Sequence, residues 1–448
     1  MLRLTRRIFG VASLTLRTAV RSGTAGAVFL LLTILLFALP PLLKGDGTVA
    51  GQATVLLTYT LGLVFVTLAL ATLWGCCSLF SVEISSSRLG LTWVKPITGF
   101  QLYAGKFLAV CAINAIALLY ASCTIYLMLP DDPASEGGGM RDSVSVVRPV
   151  MPSYAEEAKQ VYDEMKRSGN LPKGLSRRRI MKTLIRRAPD RYTAIAPGEK
   201  LELVFKVPHD IVRDDAPALR VRFETEWNSR QVADARCVVL PGDGAGNYSA
   251  EKSFSVSSIR SERNVLLFPL PVQQAVGLKS FKVVLEYGKA GAPDATLLAR
   301  LRKDVALTRK GASFAGNLIR AALIHLGALA AIAALGLALG AAFSFPVAAF
   351  AGSLLLVLFS VSSSIVSSVS DEETDTVLKR VGFSVAEQVD KTISSVVNIN
   401  ALDALVDGEE ISTGKIYSAL SRSCLLLPLC LGLLSSAALK RRDKQEES

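Results

Sequence analysis

Two histidines are all that this chain offers for acid–base work near neutral pH, His209 and His325. His209 lies in the turn Pro208-His209-Asp210, where a side chain is solvent-facing and idle. His325 lies inside an apolar run. An ionisable group in such a place is a functional candidate, and the plainer alternative is a hydrogen bond to a neighbouring helix. Neither histidine belongs to a nucleophile–base pattern, and no paired acids fall within the apolar runs. The nearest approach to a phosphate loop is Gly408-Glu-Glu-Ile-Ser-Thr-Gly414-Lys415-Ile416. It has one residue too many and ends in Ile where Ser or Thr is required. Of seven cysteines only Cys237 falls in a hydrophilic stretch, and the adjacent Cys76-Cys77 lack metal-ligand spacing. No enzyme activity, metal or cofactor is expected, and any ATP hydrolysis belongs to a separate subunit.

What remains is polar or charged chemistry set in or beside apolar segments. Asn114, His325 and the serines Ser363, Ser364 and Ser367 are the candidates for a substrate path. Serine in such a segment more often bonds its own helix or a neighbour. The second group is the mixed-charge stretch from Glu83 to Lys106, with Arg88, Lys95, Pro96 and Gly105 between. Glu83 and Arg88, five apart, are either partners of each other or open to charges on another protein.

Those residues are positioned by long apolar runs. Thr24–Leu43 has no charge over about twenty residues, the length a helix needs to cross the hydrocarbon core. Similar runs give six expected spans: Gly26–Leu43, Thr54–Phe80, Lys106–Leu129, Asn317–Gly340, Phe345–Ser368 and Ile416–Leu439. The stretch 317–368 is too long for one crossing, and Gly340 and Pro346 punctuate it as a helical hairpin. Hydrophobic residues make up 50% of the 448, charged residues only 20%, and mean hydropathy is +0.40. A soluble chain carries nearer a quarter charged residues. Much of the basic excess behind the formal charge of +12 lies beside the spans, with the insertion 130–315 basic as well, so lipid rather than nucleic acid is the expected partner of the basic residues.

Short-loop charge sets the expected orientation. Arg3, Arg6, Arg7, Arg17 and Arg21 precede the first span, in a basic amphipathic segment suited to a membrane interface. Arg88, Lys95 and Lys106 separate spans two and three, and Lys440, Arg441, Arg442 and Lys444 follow span six. Six spans place all three groups, and both termini, on the cytoplasmic side of the plasma (inner) membrane. The segment 369–415 then faces out, as does a long insertion, 130–315, between spans three and four. The chain thus divides into 1–129, 130–315 and 316–448.

The insertion has its own grammar. Ser153-Tyr-Ala-Glu156 is a capping box for a helix running to about Arg167, with Gly169 ending it. A short, strongly basic helix over Ser176–Arg187 follows. Seven alternating runs separated by Pro, Gly, Asp and Asn then predict a β-sandwich: Leu201–Val207, Leu219–Glu226, Arg236–Leu240, Tyr248–Val256, Asn264–Leu270, Ser280–Tyr287 and Thr296–Leu307. The expected fold is therefore an α-helical polytopic membrane protein with six transmembrane helices and an extracytoplasmic β-sandwich-like insertion.

The membrane portions resemble the type-2 class of ABC-transporter permeases. The likeness is carried by Glu83, Arg88, Lys95-Pro96 and Gly105-Lys106 in order, by the segment Asn398–Ser412 with Asp403 and Gly408 before the last span, and by the basic tail Lys440-Arg441-Arg442. Where that class often has arginine three residues after the proline, this chain has Gly99. The resemblance implies a multi-pass membrane subunit that pairs with a second permease, as a homodimer or heterodimer. It also implies coupling to a separate ABC ATPase through residues 83–106 and the N-terminal helix. The alternative is a membrane-anchored extracytoplasmic binding or assembly protein whose spans only hold the insertion.

Overall fold

A computed structural model describes residues 2–43, 55–85, 97–129, 142–151, 153–169, 177–188, 191–206, 217–225, 234–242, 248–249, 253–261, 265–270, 280–288, 296–369, 400–406 and 408–446. The chain forms two compact units, one from 1–142 with 313–448 and one from 143–312.

The first unit is helical. It opens with α1 (Leu2–Arg21) and α2 (Thr24–Leu42), hinged at Gly23, whose φ of 77° needs a residue without Cβ. A π-helical turn, Val55–Leu61, leads into α3 (Gly62–Ser85), and α4 spans Gly99–Met128. After the second unit come α7 (Phe314–Ala342) and α8 (Phe345–Val369). The short α9 (Asn400–Val406) and α10 (Thr413–Leu420) follow, then a π-helical turn, Ser421–Leu426, and α11 (Leu427–Glu446). The hairpin expected at Gly340 and Pro346 turns at Phe343-Ser344.

Five helical segments are long and apolar enough to cross a bilayer: Thr24–Leu42, Val55–Ile84, Gly99–Met128, Phe314–Ala342 and Ile416–Leu439. The chain is therefore compatible with a multi-pass membrane protein. Of α8, the apolar stretch Phe345–Leu358 is described with its side chains, and its place as a sixth span stays an expectation.

Small residues let these helices approach. A Cβ on Gly336 would lie 2.8 Å from Cys76 Cβ, and one on Gly340 would lie 2.5 Å from the Cys77 carbonyl oxygen. Backbone thus meets backbone where α7 crosses α3, the packing that small-xxx-small spacing permits. Ser81 Oγ donates to Cys77 O and lies 3.2 Å from both Gly340 O and Phe343 O, so the free carbonyls at the end of α7 meet a hydroxyl. Trp74 Nε1 donates to Ser353 Oγ across to α8.

The second unit begins with β1 (Asp142–Val147), α5 (Tyr154–Arg167) and α6 (Arg177–Arg187). The capping box is formed: Glu156 N donates to Ser153 Oγ at 3.2 Å, and Ser153 N donates to Glu156 Oε2 at 2.8 Å. Gly169 ends the helix with φ 72°.

The strands follow: β2 (Thr193–Ile195), β3 (Lys200–Lys206), β4 (Ala218–Arg222), β5 (Glu224–Thr225), β6 (Ala235–Gly242), β7 (Phe254–Ser257), β8 (Ile259–Ser261), β9 (Val265–Pro269), β10 (Ser280–Tyr287), β11 (Leu297–Ala299) and β12 (Val305–Ser313). They make three sheets, β1-β12-β4-β9-β8, β3-β10-β6-β7 and β2-β11-β5. Leu203, Phe205, Leu219, Val221, Phe268, Phe281, Val283, Leu285 and Val305 join in one core drawn from facing sheets, as in a sandwich. The run expected over Thr296–Leu307 is interrupted by a turn. Arg300 forks onto Asp304 there, with Nε to Oδ2 at 2.9 Å and Nη2 to Oδ1 at 3.2 Å. Strands β1, β2 and β8 are too short or too polar to stand out by alternation.

Candidate functional site at the start of α4

Helix α4 starts at Gly99, seven residues earlier than the apolar run suggests. Thr98 Oγ1 accepts from Gln101 N at 3.3 Å, and Thr98 N donates to Gln101 Oε1 at 3.1 Å, which makes a second capping box. The signal Thr98-x-x-Gln101 is local and legible, but hydropathy, which sets a span's start at the first long apolar run, passes over it. Gly105 and Lys106 therefore sit two turns inside a helix rather than at its edge.

Four other helices converge on those two turns. Gly105 is the crossing point of α1: a Cβ there would lie 2.6 Å from Val11 Cβ and 2.9 Å from Ile8 O. Lys106 reaches α3, where its Nζ donates to Leu79 O at 2.7 Å and to Glu83 Oε2 at 2.5 Å, and sits 4.0 Å from the centroid of the Phe80 ring. Tyr103 Oη donates to Ala334 O of α7 at 3.3 Å. A Cβ on Gly99 would come 3.1 Å from Ser436 Oγ of α11, and Gly432 of α11 packs on Tyr103 and Phe100. A side chain at position 99 would thus press on Ser436 of α11.

The Lys106 side chain is 2% exposed and Glu83 is 34% exposed. An ammonium this buried is tolerable only with a carboxylate, a helix-end carbonyl and a ring face around it. Leu79 O belongs to the last turns of α3, so the cation also meets the negative end of that helix. It joins α3 to α4 electrostatically at the place where α1 joins α4 by contact.

The other expected residues fall elsewhere. Asn114 is buried on α4, where its Oδ1 accepts from Thr72 Oγ1 at 3.0 Å while Nδ2 has no partner. His325 is buried on α7, where its Nδ1 donates to Ala321 O at 2.8 Å and its ring meets Phe65 edge-on at 4.8 Å. Asn114 meets α3 at Thr72 and His325 meets it at Phe65, seven residues earlier. Ser363, Ser364 and Ser367 lie in α8 beyond the side chains that are described. Arg88, Lys95 and Pro96 lie outside the described residues.

A second polar junction escaped sequence reasoning. Asn317, fully buried near the start of α7, donates from Nδ2 to Glu409 O and accepts at Oδ1 from Ile411 N, both at 2.8 Å. One turn on, Arg320 Nη1 donates to Glu410 Oε1 at 2.5 Å and to Ile411 O at 3.2 Å. The segment between α9 and α10 is thereby clamped to α7. The partners are about ninety residues apart, so no local pattern announces them.

Among the described residues no group of three or more His, Cys, Asp or Glu side chains gathers as a metal site. Burial pushes the Cys237 thiol in β6 up to about 12, which leaves it protonated and unreactive. No family model, no curated protein and no solved structure matches the chain.

Proposed function

We propose that the chain is the membrane subunit of an ATP-driven, exporter-like ABC transporter, a multi-pass protein of the plasma (inner) membrane with both termini in the cytoplasm. It works as a homodimer or with a second permease, and couples to a separate ATPase through α1 and residues 83–106. The observation that carries the reading is the convergence on the start of α4. The two segments that the resemblance assigns to ATPase contact, α1 and the stretch ending in Gly105-Lys106, meet there at backbone distance. Displacing either one acts on α3, α7 and α11 through Lys106, Tyr103 and Gly99. A cytoplasmic push has a mechanical route into the bundle without any binding of ATP by this chain, whose sequence lacks the phosphate cradle. Such a transmission needs discrete arrangements of the spans that bind the ATPase differently. Six spans, with α8 as the fifth, put the β-rich unit outside the cytoplasm.

The test is co-purification of the tagged chain from its native membrane. A P-loop ATPase is expected to accompany it, and Arg88→Glu is expected to weaken that association while membrane insertion stays intact. Glu83→Lys alone is a poor probe, because it also sets two cations against each other beside Phe80. Absence of any ATPase, or full coupled activity in Arg88→Glu and in Arg6→Glu with Arg17→Glu on α1, favours the anchored binding protein instead.

A further inference from the structure

The basic helix α6 belongs to the second unit and contributes no described residue to its β-core. Its eleven residues, RRRIMKTLIRR, carry Arg177, Arg178, Arg179, Lys182, Arg186 and Arg187 and no acid. It packs on α5 by one side: Ile180 is 7% exposed, and the Arg177 guanidinium lies 5.4 Å from the centroid of the Tyr162 ring. Arg178, Lys182 and Arg186 follow each other at four-residue intervals and so share another stripe of the helix. Arg178 is exposed, and Ile185, seven residues after it on the same stripe, is 37% exposed. An apolar side chain set beside a row of cations is the pattern of a helix that rests in a headgroup layer. Of the acids on α5, Glu156 closes the capping box and Glu157 Oε1 accepts from Arg302 Nη2 at 2.7 Å, while Asp163 and Glu164 follow Tyr162, which Arg177 covers at the other end of α6 from Ile185.

Chain continuity names the polyanion within reach. Strand β12 ends at Ser313, and α7, a segment able to cross a bilayer, begins at Phe314 with its first turn capped by Ser313 Oγ. The unit that bears α6 is thus tethered to the membrane without a spacer, and the effective concentration of lipid surface around it is high. We propose that α6 docks on anionic phospholipid headgroups of the bilayer that holds the chain. The docking is electrostatic, led by the exposed Arg178 at the head of the basic helix stripe 178-182-186, with Ile185 as the apolar contact.

The full chain, reconstituted in nanodiscs of phosphatidylcholine alone or of phosphatidylcholine and phosphatidylglycerol in equal parts, tests this by amide hydrogen exchange. Amides of α6 are expected to exchange about fivefold or more slowly in the anionic discs, with the protection lost in high salt. Arg178→Glu with Lys182→Glu and Arg186→Glu is expected to abolish it, and Arg178→Lys with Arg186→Lys to retain it. Unchanged exchange of β6 and β10 certifies the fold. If the triple reversal disturbs that core, the corresponding Gln variant is read in its place. Equal exchange in the two kinds of disc overturns the proposal. So does protection that inorganic polyphosphate confers in neutral discs and that anionic lipid does not, which marks α6 as a site for a soluble polyanion.

Discussion

Two ion pairs of the helical unit, each joining segments far apart in the chain, sit in different company. Lys106–Glu83 is sunk at the start of α4 beneath Phe80, between helices that touch at glycines. Arg320–Glu410, at the start of α7, leaves a quarter of each side chain exposed, and beside it Asn317 does the buried bonding. The first junction is a tight packing point with one compulsory charge pair, so its parts move together or not at all. The second ties a short segment to a helix by a few hydrogen bonds that release singly. A chain that transmits a push needs the former kind of contact where force enters. The latter kind suits a place where a segment is held and let go.

The contrast can be broken first at Lys106. Lys106→Ala is expected to cost about 2–5 kcal/mol, because it leaves a cavity beside Phe80 and removes the buried cation that joins α4 to α3. Thermal unfolding in detergent checks this. Lys106→Met combined with Glu83→Gln is expected to recover most of the loss, since removing both charges is far cheaper than removing one. If the single and double variants unfold alike, the pair does not organise this junction.

Gly105→Leu comes next, at about 1–3 kcal/mol of overpacking. Its signature is local: α1 should become open to proteolysis while the α3–α7 contact at Gly336 and Gly340 persists. A variant whose α1 is as protected as the wild type removes the crossing at Val11 from the argument.

At the other junction, Asn317→Ala is expected to cost about 2 kcal/mol, since the buried Ile411 N loses its acceptor and Glu409 O loses the amide donor. Hydrogen exchange should rise at Ile411 and leave the start of α4 unchanged. Arg320→Gln is the smallest effect, about 1 kcal/mol and diminished by salt, because both side chains of the pair reach solvent and Gln keeps a donor for Ile411 O. If Arg320→Gln costs as much as Lys106→Ala, the distinction between the junctions collapses.

Some of this was readable in advance and some was not. The Ser153 capping box, the Gly169 stop and the Ser280–Tyr287 strand follow from local rules, so short windows of sequence revealed them. The start of α4 obeys the same capping rule at Thr98, yet hydropathy placed it later, because Gly99–Gly105 mixes polar and apolar residues. Lys106 was singled out for its place beside Gly105. Nothing within a few residues indicated that its partners are Leu79, Phe80 and Glu83, or that the Glu83 carboxylate turns to it. Asn317 and Arg320 were not noticed at all.

The sequence by itself determined which stretches are apolar enough to cross a bilayer, where a hydrophilic β-rich segment interrupts them, and that no phosphate loop is present. Each of these depends on composition and spacing within about twenty residues. Only the tertiary structure decided that α1, α3, α7 and α11 all meet α4 within two turns, that other helices pass against Gly105 and Gly99, and that Asn317 holds a segment some ninety residues away. Contacts of that range depend on how the helices are packed, and the apolar pattern of a span says that it is buried without saying against what.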